Sequence, residues 1–134
     1  MQREIKFKAK RIDTNEWVIG VPYPVKQESK CFIINNCKSL NFTKEDTTFE
    51  GIEVQPETVC QFTGLLDKND KEIYEGDIYN VETTKFNYVV SFRDGIFCGN
   101  ILNSKEPPLP LCWDEADGFD KFNEIIIIKS NIHD

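Results

Sequence analysis

The sequence predicts a mainly β protein of antiparallel strands with only a few short helical turns. Three observations predict it. Val, Ile, Thr, Tyr, Phe and Trp, which suit a pleated and half-buried surface, total 47 of the 134 residues, whereas Ala, Leu and Met total nine. Fifteen isoleucines against two alanines leave little material for long helices. The apolar segments are short and end at Gly, Pro, Asn or Asp, the residues that set turns. A chain of this length suits one domain over 1–134, or two lobes at 1–53 and 54–134. It buries roughly two-thirds of its unfolded surface, enough to fold without metal or disulfide staples.

Each element follows from local pattern. Ile5, Phe7 and Ala9 alternate with Glu4, Lys6, Lys8 and Lys10, the period of a half-buried strand. Asp13-Thr14-Asn15-Glu16 is turn material, and Trp17–Val21 resumes an apolar run, giving an opening hairpin. Pro22 and Pro24 are expected to stop the pairing, because proline has no amide to donate. Residues 30–35 read as a short buried strand and 36–53 as loop, with at most one helical turn opened by Thr43. Ile52–Val54 and Val59–Phe62 flank Pro56-Glu57, and Thr63-Gly64 is expected to break the second run. Asp67-Lys68-Asn69-Asp70, between Leu65-Leu66 and Ile73-Tyr74, signals a hairpin.

Gly76-Asp77 punctuates the chain before Ile78–Val81. Phe86–Phe92 and Ile96–Leu102 then pair across a tight Arg93-Asp94-Gly95 turn. A strand entered through Gly-Asp-Ile and followed by such a hairpin resembles a small SH3-like barrel, so the expected architecture is that barrel plus an extra N-terminal hairpin. Asn103–Pro110, with three prolines, is expected to be an exposed connector outside any ladder. Asp114–Phe122 allows one short helical turn. Ile125–Ile128 reads as a strand buried on both faces. Left bare, that run would template aggregation, so either this domain or a second subunit must cover it.

Net charge is −7, unevenly spread. Residues 1–30 carry seven Lys/Arg against four Asp/Glu, residues 31–105 seven against twelve, and residues 106–134 two against seven. The acidic balance argues against sequence-independent DNA binding, which relies on cations displacing counterions. Lys6, Lys8 and Lys10 would share one strand face, expected to be solvated; the rival reading sets that stripe against an acidic neighbour or another copy of the chain. Five cysteines form no C-x-x-C pair, so a zinc site is not expected, and Cys60 and Cys98 read as small buried hydrophobes. The start of the chain lacks the apolar core of a secretory signal, and no apolar run approaches a membrane span. A cytoplasmic protein of the bacterial host is therefore expected, with reduced thiols.

Arg3–Ala9 followed by Trp17-Val-Ile-Gly20 resembles the opening of the YopX family of phage and prophage proteins. The block Val54–Ile78 resembles the family's signature almost residue for residue, and Val90–Phe97 is similar to the segment after it. The similarity spans most of the chain outside 22–50 and 103–120. Three positions depart from the family pattern: Lys10 replaces a tryptophan, and Cys60 and Asp70 replace glycines. Cys60 implies a negative φ, and Asp70 a stiffer turn. The resemblance carries no catalytic residues, because the family has no established activity.

The residues themselves offer little catalytic equipment. His133 is the only histidine and stands next to the end of the chain, expected to fray, which disfavours a histidine-based nucleophilic apparatus. No phosphate-binding G-x-x-x-x-G-K-[ST] loop occurs. Two carboxylate clusters remain: Glu72, Glu75 and Asp77, and Asp114, Glu115, Asp117 and Asp120. Such groups hold Mg²⁺ in metal-dependent nucleic-acid-processing enzymes, the alternative function, with Glu72, Glu75 and Asp77 as metal candidates. Solvated turn charges explain both clusters as well. The favoured reading is a non-catalytic, self-associating β domain that acts by binding protein, without cofactor. Its expected partners are further copies of itself or a host or phage protein, and neither nucleic acid nor membrane. Gln61, Thr63, Asp67, Lys68, Glu72 and Glu75 are the binding candidates, with hairpin stabilisation as their other reading.

Overall fold

A computed structural model describes residues 4–37, 49–82, 86–110 and 126–134. Its strands are β1 (Phe7–Lys10), β2 (Trp17–Val25), β3 (Lys30–Cys37), β4 (Phe49–Val54), β5 (Cys60–Leu66), β6 (Glu72–Tyr74), β7 (Asp77–Val81), β8 (Asn87–Arg93), β9 (Ile96–Ile101), β10 (Leu109–Pro110) and β11 (Ile126–Asn131). One 3₁₀ turn, Pro56–Thr58, is the sole helical element among the described residues. The helical turns expected near Thr43 and Asp114 lie outside the described residues. Two antiparallel sheets form, ordered β4-β3-β2-β1-β5-β6 and β10-β9-β8-β7-β11. The chain divides into compact units at Ile5–Gln61 and at Phe62–Asp134 with Met1–Glu4.

In the Ile5–Gln61 unit the first four strands form a meander. Asn15 takes φ 61 in the first turn, where Arg11 holds the Asp13 carboxylate at 2.8 Å. Ala9, Cys31, Ile33 and Val54 make the core, with Val18 and Val59 against it. Gly20 permits a close approach, since a Cβ there would lie 2.6 Å from the Ile34 carbonyl oxygen. The sheet curls where Arg11 bridges Val54 and the Gln55 N–H donates to the Lys10 carbonyl at 2.8 Å. Thr58 locks the 3₁₀ turn beside it, accepting from the Lys10 N–H at 2.9 Å and donating to the Gln55 carbonyl at 2.7 Å.

Four expectations change here. The stretch 36–53, expected as loop, supplies the end of β3 and, from Phe49, most of β4, which pair with each other. Pro22 and Pro24 do not stop pairing: β2 runs through both, opposite Ile33 and Cys31 of β3. The two prolines have the same strand parity, so their missing donors face the edge that β1 leaves unpaired after Gly20. Ile5 is exposed, because the ladder with β2 begins only at Phe7. Lys10 is buried rather than solvated, since β1 leads directly into the bridge with β4; its ammonium lies 5.5 Å from the Trp17 ring centroid, and that of Lys8 4.4 Å.

In the Phe62–Asp134 unit, Ile73, Tyr79, Val90, Ile126 and Ile128 form the core, flanked by Leu65, Val81, Tyr88 and Phe97. Tyr79 stacks on Tyr88 at 5.2 Å between ring centroids. Asp94 (φ 52) and Gly95 (φ 83) both adopt the left-handed conformation that a two-residue type I′ hairpin requires. Gly64 (φ 86) does not end its strand; β5 continues, with the register shifting between Phe62 and Leu66. The connector after Ile101 is not wholly outside the ladder: Leu109 and Pro110 pair with Gly99 and Cys98 as an edge strand, a position that tolerates proline. Within the isoleucine run Ile126 and Ile128 are buried, while Ile127 is half-buried and Lys129 exposed, so the strand alternates. The expected SH3-like barrel is not formed: the described residues contain no closed barrel, because β10 and β11 end their sheet without pairing to each other.

Gly99 faces the Tyr79 hydroxyl so closely that an added Cβ would overlap it. Because the Tyr79 ring is buried and stacked, Gly99→Ala is expected to destabilise by about 1–3 kcal/mol in urea unfolding. Tyr79→Phe in the same chain should recover most of that loss. Arg11 holds the Asp13 carboxyl down at about 2, against an ordinary 3.8, by hydrogen bond and charge. Since the folded value is depressed, the stabilising contribution is present above 3.8 and is lost as pH falls through about 2. A carboxyl NMR titration is expected to place the Asp13 midpoint at about 2, and Arg11→Ala to return it towards 3.8.

Candidate functional site

The signature block folds as the β5–β6 hairpin and the entry to β7. Asp67, only 3 % exposed, opens the hairpin turn. Its Oδ1 accepts from the Asn69 N–H at 2.8 Å and the Lys71 N–H at 2.9 Å, and the turn is possible because Asp70 takes φ 61. Its Oδ2 accepts from the Ile128 N–H at 3.1 Å, and the Lys68 N–H donates to the Ile126 carbonyl at 2.9 Å. The turn thus covers the side of β11 that faces away from β7. The Lys68 ammonium lies on the surface, 2.6 Å from Glu82.

Asp77 makes a second tie. Its Oδ2 accepts from the Tyr74 N–H at 2.8 Å, and its Oδ1 accepts from the Asn131 side-chain amide at 2.9 Å. That amide also reaches the Glu75 carbonyl at 3.3 Å. Gly76, at φ 83, accepts from the Ile132 N–H at 2.9 Å, and a side chain there would meet Ile132 and Asn131. The end of the chain is therefore held and not frayed: the His133 N–H donates to Asn131 Oδ1 at 2.9 Å, and the Asn131 N–H to Asp134 at 2.7 Å.

Of the other candidates, Thr63 also ties the hairpin. Thr63 Oγ1 donates to the Ile73 carbonyl at 2.8 Å and accepts from the Leu65 N–H at 3.2 Å. Gln61 and Glu72 are half-buried opposite Phe7 and Leu66, and Glu75 is half-buried before Gly76. Asp77 commits both carboxylate oxygens within the protein. Among the described residues no three His, Cys, Asp or Glu side chains are grouped to hold a metal. The cluster from Asp114 to Asp120 lies outside the described residues.

Two features escaped the sequence reading. On β2, Ile19, Val21 and Tyr23 are 48 %, 60 % and 56 % exposed, forming an apolar stripe on one face. Val21 and Tyr23 pair with half-buried Ile34 and Phe32, which widen it. The signal was present as apolar residues on both faces of Trp17–Val25, where Val18 is the one of the second face that packs against the core. The second feature is a groove of about 490 Å³ near the β2–β3 turn, lined by Pro22, Pro24, Cys31, Pro56 and Val59 together with Lys26 and Lys30. Burial pushes the Cys31 thiol up from its ordinary value.

The profile of the family described as YopX protein matches residues 6–121. The chain belongs to the YopX family. A comparison with curated proteins finds no match. The YopX signature residues Thr63, Asp67 and Asp77 thus act here as ties between backbone segments. Of the positions that depart from the family pattern, Cys60 lies in β5 outside the positive-φ residues, and Asp70 keeps the left-handed turn that glycine favours.

Asp67→Ala leaves the Ile128 N–H and two turn amides without their acceptor. It is expected to destabilise by about 1–3 kcal/mol in urea unfolding and to raise aggregation on heating, read by light scattering. Lys68→Ala removes only an exposed ion pair and is expected to cost below about 1 kcal/mol.

Proposed function

We propose that this YopX-family chain is a non-catalytic, self-associating β domain that acts by binding protein, in the cytoplasm of its bacterial host. The single observation that supports this most is the β2 stripe. Ile19, Val21 and Tyr23 stand exposed in one row on a rigid sheet, beside Phe32 and Ile34. Contiguous exposed apolar surface of this kind marks contact sites, whereas isolated exposed side chains do not. Tyrosine is also among the anchors that carry binding energy at interface centres, and phenylalanine is enriched at interfaces. Thr63, Asp67 and Asp77 support the same reading, because their side chains tie backbone segments together.

Size exclusion with light scattering tests it. At micromolar concentration the chain is expected to exceed its monomer mass of 15.6 kDa, and Val21→Lys to return it to that mass with unchanged circular dichroism. Val21 is exposed, so the change leaves the core intact, while a buried charge at an interface weakens association by about tenfold or more. A wild-type monomer under these conditions overturns self-association through the β2 face.

A further inference from the structure

We infer that the groove beside the β2–β3 turn receives the tip of the β8–β9 hairpin from a second copy of this chain. The inference rests on the self-association proposed above and adds to it a head-to-tail contact between two different surfaces. The tip is built as a wedge. Phe92 and Phe97 are cross-strand partners on one face of the hairpin, and Arg93 and Ile96 are partners on the other. Phe92 and Ile96 are each 49 % exposed, so apolar surface projects from both faces at once. A flat surface covers one face of such a wedge; a groove covers both.

The wedge is rigid. Its turn is the two-residue Asp94-Gly95 form, and the Phe92 ring sits edge-on to Phe97 with centroids 4.9 Å apart. It also stands clear, since a Cβ on Gly95 would meet no heavy atom within 4 Å. Preformed geometry reduces the ordering cost of association.

The groove answers this shape and charge. Pro22, Pro24, Val59 and Pro56 make much of its lining apolar, and about 490 Å³ falls within the range of roughly 300–1,000 Å³ that encloses small ligands. Lys26 and Lys30 line it as well and are exposed, with Glu28 lying 3.6 Å from Lys30. Asp94 at the apex complements the two lysines, and Arg93 beside it complements Glu28. The surface involved is small, at the transient end below ~1,200 Å². The contact is heterologous, so each copy both gives a tip and offers a groove.

Two full-length variants isolate one such contact. Both carry Val21→Lys, which removes the β2 face from the assay. The tip variant adds Phe92→Ser and Ile96→Ser; the groove variant adds Lys26→Glu and Lys30→Glu. Circular dichroism is expected to show both folded, all of these side chains being exposed. With the tip variant ¹⁵N-labelled and the groove variant added unlabelled, amide shifts are expected at Val25, Ser29, Cys31 and Val59. With the labels reversed, shifts are expected at Gly95 and Phe97. Neither variant alone should show them, and Asp94→Asn in the groove variant should weaken the contact by about threefold to tenfold. No groove shifts in the mixture at millimolar concentration, or equal shifts in each variant alone, overturns the contact. Wild-type association that Val21→Lys abolishes, with no groove shifts, sinks this inference alone; a wild-type monomer at micromolar concentration with groove shifts present sinks the β2-face reading alone.

Discussion

One buried carboxylate sets the terms for the carboxy-terminal half of this protein. Asp67 accepts three backbone amides, two inside its own turn and one from Ile128, 61 residues further along the chain. Each of these amides is taken from water with its acceptor in place, where an unmade bond would be costly. With the Lys68 N–H on the Ile126 carbonyl, the turn offers β11 one acceptor and one donor, as a neighbouring strand would. A strand that carries consecutive isoleucines at a sheet edge needs such cover, because bare edge amides template pairing with other chains. Held in this way, β11 directs Ile126 and Ile128 into the core beside Ile73, Tyr79 and Val90.

A second acid repeats the logic at the other end of the same strand. Asp77 fixes Asn131 through its side-chain amide, and Asn131 in turn orders the last residues through His133 and Asp134. Gly76 must be glycine for two reasons at once: its φ of 83 and the nearness of Asn131 and Ile132. The polar density of the YopX signature follows from this arrangement. A short hairpin and the entry to β7 together anchor a strand that arrives from a distant part of the sequence. Removing a buried acceptor costs more than the bond itself contributes, since the abandoned amide remains desolvated.

Local chemistry was legible in the sequence wherever it was self-contained. The Asp94-Gly95 turn, the Asp67–Asp70 hairpin, the buried Cys60 and Cys98 and the strand-rich composition all depend on neighbours within a few residues. What depended on distant partners was not. That Asp67 bonds Ile128 has no local signature, because the spacing of 61 residues is set by topology. Pro22, Pro24 and Pro110 read as ladder breakers, yet each lies where a missing donor faces an unpaired edge, and parity towards an edge is invisible until strand order is known. Gly64 read as a stop, whereas the sheet absorbs it as a register shift. The barrel expectation failed for the same reason: hairpins are local, and closure is not.

The covered edges bear on how this chain meets other molecules. The isoleucine run alone suggested association through unpaired strands, but Asp67 and Lys68 occupy the open side of β11, and β10 ends its sheet with Pro110, which has no amide to offer. Backbone pairing is thereby blunted at both ends of the five-stranded sheet. The outward side-chain surface among the described residues includes the Ile19, Val21 and Tyr23 row, the two-faced tip at Phe92 and Ile96, and the groove at Pro22 and Pro24. Contacts made by side chains select partners by shape and charge, whereas bare backbone edges accept almost any extended chain. A five-stranded sheet with both edges blunted, in a chain that exposes shaped apolar faces, favours specific partners over open-ended growth from that sheet.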